Sequence, residues 1–125
     1  MNKEYITLAG TAAQPYSDIV IVENQLFLSG LIPQDETSGE LLKGDIEFET
    51  DIVLRNMSHI LERYGSGMDK VIKVDVFLHD FCEKDRMNSV YVKHFPTDKF
   101  PARVCVGGID LAADCKVEMV ATALR

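Results

Sequence analysis

The sequence predicts an α+β fold in the order ββαβαββ, a mixed sheet with two helices packed on one of its faces. Short β-branched runs recur along the chain, two segments repeat their apolar residues at helical spacing, and turn formers stand at the junctions. At 125 residues, with no linker or low-complexity stretch, residues 1–125 form one domain with a real core.

Ile19 to Val22 and Gln25 to Leu31 are β-rich runs separated by Glu23-Asn24, a tight-turn pair, and predict an N-terminal hairpin. Pro33, Asp35, Thr37-Ser38-Gly39 and Gly44 then mark a loop. Asp45 is placed to cap a helix whose apolar positions are Val53, Met57, Ile60, Leu61 and Tyr64, and Gly65 ends it. Val71 to Leu78 reads as a buried strand, with Lys73 and Asp75 opposing Ile72, Val74 and Val76. Asp80 and Glu83 have the spacing of a capping box, opening a second helix through Met87, Val90, Tyr91 and Phe95 that Pro96 stops.

The last two strands hold the chemistry. Arg103 lies inside the apolar run Phe100 to Val106, where an unpaired charge is costly, and Glu118 interrupts the run Lys116 to Ala121. The polar stretch Asp110 to Asp114 between them predicts a hairpin. With an even loop, the period of two would put Arg103, Cys105 and Glu118 on one face and Val104, Val106, Val117 and Met119 on the other. A cation and a carboxylate on one surface form either a structural ion pair or a functional site.

Two helices on one side cannot cover Leu26, Leu28, Val74, Val76, Val104, Val106 and Val120 together. Association through the bare sheet face is the expected remedy, and it would create clefts between chains.

The net charge of −7 and the scattering of Lys and Arg oppose a phosphate-binding surface, so nucleic acid is not an expected partner. No stretch reaches the roughly 20 apolar residues of a membrane span, and the first residues lack the apolar core of a secretion signal, which predicts a cytoplasmic protein. Cys82, Cys105 and Cys115 are odd in number without CxxC spacing, and His59, His79 and His94 are dispersed; reduced thiols and no metal site are expected.

The segments Gln14-Pro15-Tyr16-Ser17, Leu28-Ser29-Gly30, Leu54-Arg55-Asn56, Val71-Ile72-Lys73-Val74, Asn88-Ser89-Val90-Tyr91, Phe100-Pro101-Ala102-Arg103 and Lys116-Val117-Glu118 resemble, in order and spacing, the RidA (YjgF/YER057c/UK114) family across nearly the whole chain. The resemblance implies a chorismate-mutase-like fold, a homotrimer whose sheets form a central barrel, and three clefts between subunits. It implies hydrolysis of reactive enamines and imines, such as 2-aminoacrylate and 2-iminopropanoate, to 2-keto acids and ammonia without a cofactor. Arg103 would grip the substrate carboxylate through two parallel hydrogen bonds, and Glu118 would activate the water and pass protons to the leaving nitrogen.

By the same resemblance Tyr16, Ser29, Gly30, Asn88 and Cys105 would line the cleft. All but Ser29 have a plainer reading. Tyr16 would be a core tyrosine, Gly30 a relief for a strand bend, Asn88 a solvent-facing helix residue and Cys105 a small apolar side chain. Leu31, Glu49 and Val104 stand where the family more often has Gln, Gln and Ser; Leu31 and Val104 would narrow or dry the cleft. Gly107-Gly108 would serve a bulge or a close backbone approach at the trimer axis. Two other functions fit the same fold: a trimer that binds a small keto acid without turnover, and an endoribonuclease or translation inhibitor, which this chain's lack of paired histidines and of a basic face disfavours.

Overall fold

The apolar repeats become regular elements in a computed structural model that describes residues 1–8 and 13–125. The strands are β1 (Lys3–Ile6), β2 (Ile19–Val22), β3 (Gln25–Leu28), β4 (Val71–Leu78), β5 (Ala102–Val106) and β6 (Val117–Leu124). The helices are α1 (Ile46–Arg63) and α2 (Lys84–Tyr91). The order βββαβαββ contains the expected ββαβαββ plus one further strand. β1 pairs with β2 and is almost wholly exposed, so it is held by backbone bonds and leaves no alternation of burial to read in its sequence.

One sheet runs in the order β1-β2-β3-β6-β4-β5, antiparallel throughout except for β4 beside β5. The expected hairpin of the last two strands does not form. α2 is the crossover of a β4-α2-β5 unit, which sets β5 parallel to β4 at the sheet edge, and β6 fills the place between β3 and β4. A polar stretch between two strands signals a reversal of the chain but does not choose its partner.

Leu26, Leu28, Val74, Val76, Leu78 and Met119 are buried in one core with Leu54, Met57 and Leu61 of α1 and Met87 of α2. Both helices therefore cover the same sheet face. On the other face Phe27, Val104 and Val106 are 41%, 45% and 39% exposed, and Val120 is partly so. Ile72 departs from expectation: the register slips between Val71 and Lys73, and Ile72 is exposed while Val71 and Val74 are buried.

Asp45 caps α1, its Oδ1 accepting from Phe48 N at 2.9 Å, and Gly65 follows the helix at φ +82°. The capping box at α2 does not close. Asp80 Oδ1 accepts from Cys82 N and starts a short 3₁₀ turn, Phe81–Glu83, while Glu83 faces Arg86 at 3.6 Å. Gly107 is needed at a close approach inside the chain, because a Cβ there would stand 2.4 Å from Phe81 Cβ.

Glu49 is fully buried. Its Oε1 accepts from Lys116 N at 2.7 Å, its Oε2 accepts from Gly44 N at 3.2 Å and faces Lys116 Nζ at 3.4 Å, and Lys116 Nζ donates to Gly44 O at 2.7 Å. This carboxylate thus pins the approach to β6 against the first turn of α1. Glu49→Ala would leave the amides of Gly44 and Lys116 without their acceptor. It should cost roughly 2–4 kcal/mol in chemical denaturation, with Glu49→Gln intermediate; a loss well under about 1 kcal/mol would show that the latch carries no weight.

Candidate active site

The strand register decides which charges meet. Arg103 lies opposite Val74 and Cys105 opposite Val76, while Glu118 lies opposite Phe77. Val76 also pairs with Met119, so Arg103 and Cys105 share the helix-covered face and Glu118 projects from the other. The expectation that Arg103, Cys105 and Glu118 share one face within a chain is therefore corrected, and the reason is the pairing of both β5 and β6 with β4 instead of with each other.

Arg103 is held from α2. Its Nη1 donates to Asn88 Oδ1 at 2.6 Å, and its guanidinium carbon lies 4.7 Å from the centroid of the Tyr91 ring, which itself packs on Phe95. Among the described residues no carboxylate lies within 4.0 Å of it, which removes the ion pair with Glu118 as its reason inside one chain. Asn88 faces the arginine, not open solvent. Burial pushes the Cys105 thiol up, more than the nearby Arg103 and Lys84 charges pull it down, so it stays protonated at neutral pH and is a poor nucleophile.

Glu118 occupies a second cluster. The chain leaving β3 turns back along β6, with Leu31 N donating to Met119 O at 2.7 Å and Met119 N to Leu31 O at 3.0 Å. This draws Gly30 over the carboxylate: a Cβ on Gly30 would stand 2.0 Å from Glu118 Oε2, so the glycine serves a close approach and not a strand bend. Glu118, Gly30, Leu31 and Tyr16 line a cavity of about 690 Å³. Tyr16 is 57% exposed and hence no core tyrosine. Ser29 donates to Ser17 O at 2.6 Å and ties the segment carrying Tyr16 to the end of β3. Burial raises the Glu118 carboxyl above the ordinary glutamate range.

In the sequence Tyr91 stands in the apolar stripe of the second helix and closes the segment Asn88-Ser89-Val90-Tyr91, with no site role assigned to it. The available signal was its position three residues after Asn88, which puts both side chains on one face of the helix. Of the unusual residues, Leu31 lines the Glu118 cavity, Val104 lies on the exposed sheet face, and Glu49 belongs to the buried latch.

Residues 7–125 match the family model described as Endoribonuclease L-PSP. The chain is 41% identical over 111 residues to a RutC family protein of Pyrococcus abyssi, covering 89% of this chain and 87% of that one. It is 32% identical over 114 residues to a human protein named 2-iminobutanoate/2-iminopropanoate deaminase, covering 91% and 82%. The chain belongs to the RidA (YjgF/YER057c/UK114) family. A solved structure from Yersinia pestis, of the conserved Rid protein family, matches with a TM-score of 0.91 at 31% identity, over 99% of this chain and 100% of that one. The RidA-family fold thus extends over the whole sheet and both helices. Among the described residues no helix is long and apolar enough to cross a membrane, and no group of three His, Cys, Asp or Glu is placed to hold a metal ion.

The raised Glu118 carboxyl gives a stability test. The folded state binds this proton more tightly than the unfolded chain, so its contribution is present below the usual glutamate pKa and is lost as pH rises through the raised value. Glu118→Gln should therefore melt higher than wild type at pH 7 to 8, with the difference closing below about pH 4.3. A melting temperature unchanged at pH 7 would show that the carboxylate is not desolvated.

Proposed function

We propose that this protein hydrolyses reactive 2-enamine and 2-imino acids, such as 2-aminoacrylate and 2-iminopropanoate, to 2-keto acids and ammonia, and does so as a homotrimer. The observation that carries this reading is a pair of uncommitted charges: among the described residues Arg103 has no carboxylate within 4.0 Å, and Glu118 is half-buried with a raised pKa and lines a cavity beside Gly30. Family relatives named deaminases add weight.

Because the two charges lie on opposite faces of one sheet, a shared substrate needs Arg103 from one chain and Glu118 from another. The exposed Phe27, Val104 and Val106 give the sheet face an apolar surface suited to such packing. In the cleft so formed, Asn88 occupies one guanidinium nitrogen of Arg103, leaving its other N–H groups to take both oxygens of the substrate carboxylate. This fixes the protonated C=N carbon for attack. Water adds its oxygen to that carbon as its proton passes to Glu118 and the C=N electron pair moves to nitrogen. Glu118 then gives the proton to the amine. The C–N bond breaks with its electron pair leaving on ammonia, the hydroxyl oxygen forms the new carbonyl, and its proton passes to the carboxylate of Glu118 and on to solvent, yielding the keto acid and ammonia.

A binding-only trimer is the second reading, favoured by one observation: Arg103, held by Asn88 and Tyr91, lies on the sheet face opposite Glu118, so the cation and the candidate base of one chain do not meet. The net charge of −7 argues against RNA as substrate.

The deciding assay generates 2-iminobutanoate in situ with an amino-acid oxidase and follows its decay. Wild type should accelerate the decay, Arg103→Ala should abolish the effect with the fold intact, and Arg103→Lys should restore little, for want of a planar two-point contact. Glu118→Gln should lower turnover by on the order of 10²-fold while binding 2-oxobutanoate at least as well as wild type by calorimetry. Full imine hydrolysis by Glu118→Gln would overturn the mechanism; tight keto-acid binding with no turnover by wild type would favour the binding-only trimer.

Assembly is checked separately by light scattering, which should report three times the 14.0 kDa chain mass. A monomer at micromolar concentration would leave Arg103 and Glu118 unable to share a ligand.

A further inference from the structure

We infer that Tyr91 is the positioning residue of the anion site: the face of its ring supports the Arg103 guanidinium and, with Asn88, fixes which edge of it meets a bound carboxylate. The link to substrate rests on the function proposed above; the link to Arg103 does not.

Tyr91 and Asn88 rise from one face of α2, so a single rigid helix supplies both constraints on the cation. Asn88 restrains it through one Nη at 2.6 Å, and the ring holds it from a centroid 4.7 Å away. Neither contact neutralises it. A carboxylate in the same place would occupy the two-point edge and cancel the charge, whereas the negative face of a ring attracts a cation through its quadrupole and leaves the full positive charge for a ligand. Tyr91 is itself buried, only 4% exposed and packed on Phe95 with centroids 4.7 Å apart.

The ring, not the hydroxyl, carries the role. Among the described residues the buried Tyr91 hydroxyl meets no partner in hydrogen-bond geometry, although the Arg103 guanidinium lies near enough to act on it. Desolvation pushes the phenol up to about 12, against a smaller opposing pull from Arg103, so it stays neutral and supplies no counter-charge. Removing it should therefore cost little, and removing the ring should cost the alignment of Arg103.

The test compares Tyr91→Leu with Tyr91→Phe in the full chain; should the leucine variant fail to fold, Tyr91→Met fills more of the space, also without a ring. The first readout needs no substrate. The Nε–H signal of Arg103 in ¹⁵N NMR, assigned by its loss in Arg103→Ala, should show an ordered heteronuclear NOE in wild type and Tyr91→Phe and a mobile one in Tyr91→Leu. The second is calorimetric: the Kd for 2-oxobutanoate should rise about tenfold in Tyr91→Leu, with KM for the imine affected more than kcat, and Tyr91→Phe should recover most of the loss. A merely structural tyrosine would lower the melting temperature and leave both readouts unmoved. An Arg103 equally ordered without the ring overturns the inference whether or not the protein is a deaminase, as does an unchanged Kd in Tyr91→Leu when wild type binds through Arg103. If the ring orders Arg103 but wild type neither binds keto acids nor turns over imines, the positioning role stands and the proposed function falls.

Discussion

The insertion of β6 between β3 and β4 is the constraint on which the arrangement of charges depends. Once β6 takes that place, β5 can only join the free edge of β4, and α2 must cross the sheet to bring it there. The strict alternation of side chains along a strand does the rest: Arg103, aligned with Val74, is committed to the helix layer, and Glu118, aligned with Phe77, to the opposite surface. No rotamer change brings the two together across a sheet. A slip of one residue in β6 would turn Glu118 toward Leu54, Met57 and Met87, and a slip in β5 would turn Arg103 away from Asn88 and Tyr91, which is why the register is not negotiable.

The two charged groups are prepared in opposite ways. Arg103 is crowded by polar and aromatic partners that orient it without offsetting its charge. Glu118 is instead partly desolvated, which raises the affinity of its carboxylate for a proton. The buried Glu49 shows the contrast: it collects two backbone amides and an ammonium, and has no capacity left for a ligand. Two carboxylates of the same intrinsic chemistry are thus separated into a structural one and an available one by what surrounds them.

Local signals were legible in the sequence. Asp45 and Gly65 bracket α1 because capping and a positive φ are decided by a few adjacent residues, and the bounds of β4 follow from its apolar run. Non-local pairing was not. The Asp110 to Asp114 turn contains nothing that says whether β6 folds onto β5 or passes over to β3, and the face of Glu118 depended on that choice. Residues joined by distant contacts were equally opaque: Glu49 reads as an ordinary first-turn acid, although its partners include Lys116 at the far end of the chain. Arg103 stood out because a charge in an apolar strand breaks a physical rule, and Tyr91 did not because it obeys one.

Gly30 also constrains how such a site can vary. With Glu118 Oε2 only 2.0 Å from where a methyl would stand, any side chain at position 30 must push the carboxylate aside. Diversification of the pocket is thereby channelled to its neighbours. Leu31 lines the same cavity and Val104 lies on the same sheet face, and each already carries a side chain whose size can change. A mutational walk toward a new ligand thus has open paths at 31 and 104 and a barrier at 30, where one added carbon would unseat the acid while leaving its codon intact.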